Sequence, residues 1–227
     1  MESLMIAGKE VKIFPAKNMN APLVILHTVR GEGETVNQLA RKGTATDFSL
    51  AAIGKLNWDD EMSPWAISPI SPIDTPCTGG ADAYLDTLEE QILPRILHYV
   101  PSPSFMALAG YSLAGLFAVY AMYRIDAFAR IASASGSFWY PKFLDYVQQH
   151  EMKCQPNVCI FPWATKKLGQ KTKYSNQSRR TLYGWKIIIV NSVYGLSMRR
   201  IKGTIFNRQT NVWQRGFVGF CSSALIF

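Results

Sequence analysis

Ser112 stands in Gly110-Tyr111-Ser112-Leu113-Ala114-Gly115, between an apolar run, Phe105 to Ala109, and a second one, Leu113 to Arg124. This is the pattern of a nucleophile elbow with Ala114 where a second glycine is usual. The turn from strand to helix must be sharp, and the serine backbone is strained. Small residues two before and two after the serine let strand and helix approach without a Cβ clash. The chemistry such a turn serves is nucleophilic acyl transfer. The Ser112 hydroxyl is exposed at the C-terminal edge of a sheet, and the backbone N–H of Leu113, at the start of a helix, donates to an oxyanion. The bare pattern also occurs by chance as an ordinary small-residue turn. The apolar strand before it and the apolar helix after it favour the elbow here.

A hydroxyl nucleophile needs a base, and the base needs an acid to orient it. In elbow-type chains they follow in the order Ser, then Asp or Glu, then His. Downstream of Ser112 the acids are Asp126, Asp145 and Glu151, and the only histidine is His150. None falls at the end of a late strand. His150 closes a polar stretch, Val147-Gln148-Gln149-His150, and is expected in solvent. His27 follows an early strand; it could line the site but precedes the serine, the wrong order for the base. His98 is expected to be structural.

The elements that must position Ser112 alternate in type. Lys9 to Phe14 predicts a short edge strand. Leu23 to His27, Phe48 to Ile53, Phe105 to Ala109 and Ile131 to Ser133 are apolar throughout, as strands buried on both faces are. Residues 35–42, 82–99, 113–124 and 141–150 predict helices. In 82–99 Leu85, Leu88, Ile92, Ile96 and Tyr99 recur at three- or four-residue spacing, and the interior Pro94 predicts a kink. Residues 57–80 carry Pro64, Pro69, Pro72, Pro76 and Gly79-Gly80, so little regular structure is expected. Trp58 and Trp65 in that loop either wall a pocket, as a lid does, or pin the loop to the core. Strands alternating with helices predict an α/β fold with a parallel sheet.

Four blocks carry a resemblance to a known family: LVILHTVRGEGE, LNWDDEMSPW, the GGADAYL helix start, and GYSLAGLFA followed by SASGSFWYP. On these the chain resembles the Putative-esterase branch of the α/β-hydrolases, whose relatives include the esterase D and enterochelin-esterase types. The resemblance covers residues 21 to about 145. It implies an α/β-hydrolase-type parallel sheet flanked by helices, Ser112 as nucleophile and the Leu113 N–H as one oxyanion donor. A second donor is implied in the loop after the first core strand, around Thr28 and Val29. It implies a small-molecule ester substrate and no metal or organic cofactor.

Past residue 150 the resemblance fails, and so does the composition. All 16 acidic residues lie between Glu2 and Glu151. Residues 1–158 carry a net charge of −4, and residues 159–227 carry +12, giving the overall +8. An ordinary chain is about one-eighth Asp and Glu, so this acid-free stretch is a compositional break. A basic nucleic-acid arm is the functional reading. Against it, the basic residues are interleaved with apolar runs, Ile187 to Val190 and Ala224 to Phe227. Back-translation offers another cause. Read one base early, the codons for Cys159 to Lys173 permit YFSLGDKEARTKN, and those for Met198 to Gly216 permit EENQGNHFQPSDKRMAKG. Trp163 followed by Ala164 forces the glycine of the first; Ala164 followed by Thr165 allows its aspartate. The first is an apolar strand ending in Gly-Asp and the second holds Gly-Asn-His-Phe, as the resemblance requires of the missing acid and base. The expectation is a hydrolase core over 1–158 and an out-of-frame segment over 159–227, with C-terminal strands incomplete or aberrant and catalysis impaired. The alternatives are a divergent but genuine C-terminal segment and a non-catalytic binding protein of the same fold.

The 227 residues suffice for one domain with a sizeable core. No apolar run reaches the length of a membrane span, and Met1 to Lys12, with Glu2 and no long apolar stretch, is unlike a secretory signal. Cys77, Cys154, Cys159 and Cys221 lack metal-ligand spacing, which predicts free thiols and a cytoplasmic protein. Composition carries no signal for oligomeric state.

Overall fold

Apolar residues crowd both faces of one sheet, and that sheet positions Ser112. The computed structural model describes residues 1–69, 72–153, 157–161, 188–189 and 197–198. Seven strands stand in the order β1-β2-β4-β3-β7-β8-β9. β1 (Glu2–Ile6) and β2 (Lys9–Phe14) form a hairpin. Its two-residue turn, Ala7-Gly8, holds φ of 48° and 76°, the positive values that match the twist of paired strands. β2 pairs antiparallel with β4 (Ser49–Gly54). From there β4, β3 (Leu23–His27), β7 (Met106–Tyr111), β8 (Arg130–Ala134) and β9 (Asn157–Phe161) run parallel. Lys9–Phe14 is therefore not the edge strand expected; β1 covers it. Only Ile6 of β1 is buried, so Glu2–Ile6 lacks the apolar run that marked the other strands.

The sheet separates two cores. On one face Leu23, Ile25, Leu108 and Ile131 meet α3 (Ala81–Thr87), α4 (Leu93–Tyr99) and α5 (Leu113–Ala121). On the other, Val24, Leu26, Leu50 and Ala107 meet Val36 and Ala40 of α1 (Gly33–Gly43). Every residue of α5 is buried, as its unbroken apolar sequence requires. The expected helix 82–99 is continuous but widens to a π-turn over Leu88–Ile92, where the Leu93 N–H bonds the Leu88 carbonyl. Pro94 has no N–H to offer and its ring presses on the carbonyl one turn back; the added residue relieves both.

Between β4 and α3 the chain makes one helical turn, α2 (Trp58–Glu61), and a two-residue bridge of β5 (Ala66–Ile67) with β6 (Cys77–Thr78). α6 (Phe143–Gln149) follows β8. β9 crosses residue 158, so the sheet continues three residues past the expected end of the hydrolase core. β10 (Ile188–Ile189) and β11 (Ser197–Met198) form an antiparallel pair. The remainder of the expected out-of-frame segment lies outside the described residues. Among those described, no helix is long and apolar enough to cross a membrane.

Candidate active site

Ser112 leaves the sheet at the C-terminal end of β7, between β3 and β8. Its φ is 54° and its ψ −117°, a region that L residues rarely occupy. Backbone hydrogen bonds hold it there from both sides. The Ser112 N–H donates to the Ala134 carbonyl at 3.1 Å, and the Ser112 carbonyl accepts from Gly115, Leu116 and Ser137 N–H at 3.0, 3.1 and 3.0 Å. The expected tightness is concrete at Gly110. A Cβ there would lie 2.1 Å from the Ala114 carbonyl oxygen and 2.9 Å from the Ala114 Cβ. One side chain fits in that crossing, and Ala114 supplies it.

The Ser112 side chain is half-buried, and its hydroxyl lies 3.4 Å from that of Ser137. Ser112 precedes α5, whose first N–H groups, Leu113 included, have no partner within the helix. An oxyanion placed there meets those donors and the positive end of the helix dipole.

The loop after β3 contributes less than the sequence implied. The Thr28 N–H donates to the Ile53 carbonyl at 2.9 Å, and its hydroxyl bonds the same oxygen at 3.0 Å. Thr28 is buried, its donors committed to the sheet. The Arg30 N–H caps the Glu32 carboxylate at 2.9 Å. Of Thr28, Val29 and Arg30, that leaves Val29, 49% exposed, with its N–H uncommitted among the described residues.

His27 ends β3 and points into the core, 1% exposed. Nε2 lies 2.9 Å from the Tyr84 hydroxyl of α3, and the ring meets Phe117 edge-on. Nδ1 has no partner among the described residues. Burial penalises the imidazolium and lowers its pKa to about 3. His98 is exposed on α4. His150 is exposed, stacked on Tyr146 with Nδ1 2.8 Å from the Tyr146 carbonyl. Asp126, Asp145 and Glu151 are exposed. All three histidines of the chain are thus described, and none is hydrogen-bonded to Ser112.

Trp58 and Trp65 are half-buried against the larger core. Trp65 is gripped closely: Nε1 donates to the Pro141 carbonyl at 3.0 Å, and the Tyr140 hydroxyl donates to the Trp65 carbonyl. Tyr120, Tyr140, Phe143 and Tyr146 surround its ring. These contacts fasten the 57–80 loop to the segment that follows Ser137. Burial, with the Asp82 carboxylate beside Tyr120, pushes the Tyr120 phenol pKa well up. Among the described residues, no group of three or more His, Cys, Asp or Glu could hold a metal ion.

Ser137 and Tyr84 were not singled out by sequence reasoning. The run Ala134-Ser135-Gly136-Ser137 did carry a signal, since small residues in series permit close approach of backbone to backbone. Tyr84 carried none, because its partner is 57 residues away.

Residues 30–178, well over half of the chain, match the sequence model of a family described as Putative esterase. The uncharacterized protein YbbA of Bacillus subtilis (strain 168) is 29% identical over 111 residues, 47% of this chain and 44% of that protein. An IroE-like serine hydrolase from Shewanella oneidensis has a similar fold, with a TM-score of 0.61 at 18% identity over 78% of this chain and 63% of that one. The siderophore hydrolase EstA from Aspergillus nidulans gives 0.58 at 18% identity over 80% and 76%. The chain spans less than two thirds of the length of YbbA and of the Shewanella hydrolase.

Proposed function

Because the chain belongs to the Putative esterase family, we propose that its site is built for acyl transfer from small-molecule carboxylic esters, with Ser112 as nucleophile, and that this chain catalyses it weakly or not at all. One observation carries the reading: Ser112 is held at positive φ at the head of α5, over a Gly110 that has no room for a Cβ. Strain of that kind survives only where the surrounding contacts over-determine it, and it raises the hydroxyl out of the sheet.

In the proposed reaction the Ser112 Oγ bonds to the ester carbonyl carbon. The carbonyl π pair moves to oxygen, which takes hydrogen bonds from the Leu113 N–H and, across the crevice, from Val29. With no imidazole hydrogen-bonded to Ser112, its proton passes to hydroxide or water. Collapse of the tetrahedral adduct expels the alkoxide, and water then releases the acid from the acyl-serine. Loss of a triad histidine in well-studied serine proteases costs on the order of 10⁶ in kcat, and the remainder comes from binding and the oxyanion hole.

The impairment has a proposed origin, a shift of reading frame between about residues 154 and 158. The acid-free, basic stretch after Glu151 supports it. The family match runs to residue 178, past the end of the resemblance expected near residue 145, and β9 runs to Phe161; both extend beyond the proposed junction and lend it no support. A cytoplasmic location is part of the same proposal, resting on the scattered cysteines. So is the absence of a nucleic-acid partner.

The test is hydrolysis of a short-chain aryl ester by the full chain. The expected result is multiple turnover barely above that of the Ser112→Ala variant, with slow acylation of Ser112 still detectable. Rapid turnover abolished by Ser112→Ala would refute the impairment and establish the nucleophile. Independent sequencing of the coding DNA across codons 150–165 tests the frame; an unchanged frame removes that explanation. The second reading, a binding protein that keeps the pocket without the chemistry, is favoured by the burial of His27 away from Ser112. It predicts saturable ester binding with no acyl-Ser112 formed.

A further inference from the structure

Resting on the reading of Ser112 as a nucleophile, we propose that Ser137 is a positioning residue that sets the rotamer of the Ser112 hydroxyl. The backbone of Ser112 is fixed by four hydrogen bonds, but these leave χ1 free. Among the described residues, the side chain hydrogen-bonded to the Ser112 Oγ is that of Ser137, at 3.4 Å. Ser137 is itself buried and tethered. It is 4% exposed, and its N–H is committed to the Ser112 carbonyl. The hydroxyl thus projects from a tethered backbone toward the Ser112 Oγ.

The loop that carries Ser137 is shaped to bring it there. Ser135 takes a left-handed φ of 51°. A Cβ on Gly136 would lie 2.4 Å from the Ser133 Oγ and 2.7 Å from the Phe138 ring. Glycine lets the loop settle directly onto β8, so that the next residue but one after Ser135 reaches the elbow. The Ser133 hydroxyl is buried beneath it with no hydrogen-bond partner among the described residues. A strained serine, a glycine with no room for Cβ and an unpaired hydroxyl all occur within five residues whose end touches Ser112. The left-handed backbone of Ser135 persists because the surrounding contacts over-determine it.

The contact is longer than the usual O–H···O distance of about 2.7–2.8 Å. Hydrogen bonds of reacting groups are commonly long without substrate and tighten in the complex. Either hydroxyl can donate in this contact; in the proposed resting site the Ser112 O–H donates to the Ser137 Oγ, which turns a Ser112 lone pair toward the crevice. On attack the Ser112 proton goes to hydroxide or water. Ser137 ends the step with the proton it began with, so it is neither base nor acid.

The experiment uses the full chain and p-nitrophenyl acetate from pH 7 to pH 10, reading the acetyl adduct on Ser112 by mass spectrometry. Wild type, Ser112→Ala, Ser137→Ala and Ser137→Thr are compared, each checked for an unchanged denaturation midpoint. Ser137→Ala is expected to slow acetylation about tenfold, the effect of one hydrogen bond. Ser137→Thr, which restores a hydroxyl, is expected to return it to within about twofold of wild type. The slope of rate against pH should be the same in both, since the base is solvent hydroxide throughout. A merely structural role would follow the midpoint and not the hydroxyl. Where Ser137→Ala fails to fold, Ser137→Cys takes its place, and slowing with a native midpoint is expected again. Equal acetylation in wild type and in the folded hydroxyl-free variant overturns the proposal and leaves the nucleophile standing. No acetyl-Ser112 in wild type at any pH overturns both.

Discussion

Tyr84→Phe removes one oxygen and leaves the ring where it is. Tyr84 and His27 are 2% and 1% exposed, and their hydrogen bond is 2.9 Å long. The variant keeps the contact with Phe117, whose centroid lies 5.5 Å from that of Tyr84. It strands Nε2 of an imidazole whose Nδ1 already lacks a partner among the described residues. A buried polar group left unsatisfied costs about 1–3 kcal/mol. With a urea m value of about 2 kcal/mol/M, the midpoint should fall by roughly 0.5–1.5 M at unchanged m. His27→Leu strands the tyrosine hydroxyl instead and should cost about as much. The double variant removes both polar groups together, and replacing both partners by apolar ones is nearly neutral. It should therefore be more stable than the sum of the singles by more than about 1 kcal/mol. Additive losses in this cycle, or a Tyr84→Phe midpoint equal to wild type, would refute the claim that the bond satisfies His27.

Acid should destabilise the chain through the same residue. His27 titrates near 3 when folded and near 6.5 when unfolded, so between those values the unfolded chain binds a proton that the folded one refuses. Stability contributed by neutral His27 is full above pH 6.5 and is lost as pH falls toward 3. The steepest slope is about 1.4 kcal/mol per pH unit, and His27→Leu should flatten it in pH-dependent urea titrations. Gly110→Ala drives a Cβ to 2.1 Å from the Ala114 carbonyl; a loss on the order of 1–3 kcal/mol is expected, read by denaturation, with acetylation of Ser112 lost as the elbow opens. Arg41→Lys should cost about 1–2 kcal/mol, because Arg41 donates to the carbonyls of Pro15 and Phe48 and to Asn37 from one planar group. Arg124→Lys, whose partner Asp82 is half-exposed, should cost under about 0.5 kcal/mol in the same assay.

Strands with both faces buried must be apolar throughout, and so Leu23–His27, Ser49–Gly54, Met106–Tyr111 and Arg130–Ala134 were legible within a residue or two. β1 was not, because an edge strand buries only Ile6. The widening before Pro94 was legible as a disturbance and not as a π-turn. Proline forbids the ordinary hydrogen bond, but the packing of Leu88 and Ile92 into the core decides how the helix yields.

By itself the sequence determined the alternating α/β order, the tight Gly110-to-Ala114 crossing around Ser112, and a chain with no acid after Glu151 and no histidine after His150. These depend on side-chain size and charge along a short stretch, which any neighbour in space must respect. The tertiary structure decided what each candidate faces. It committed the Thr28 N–H to Ile53, because β4 lies beside β3. It sent His27 to Tyr84 in the core, because α3 covers that face of the sheet. It brought Ser137 to Ser112, because β8 lies beside β7 and Gly136 lets the following loop fold down onto it. Each is a contact between segments 25 to 57 residues apart, and such pairings are fixed by the order of strands in the sheet, which no local pattern encodes.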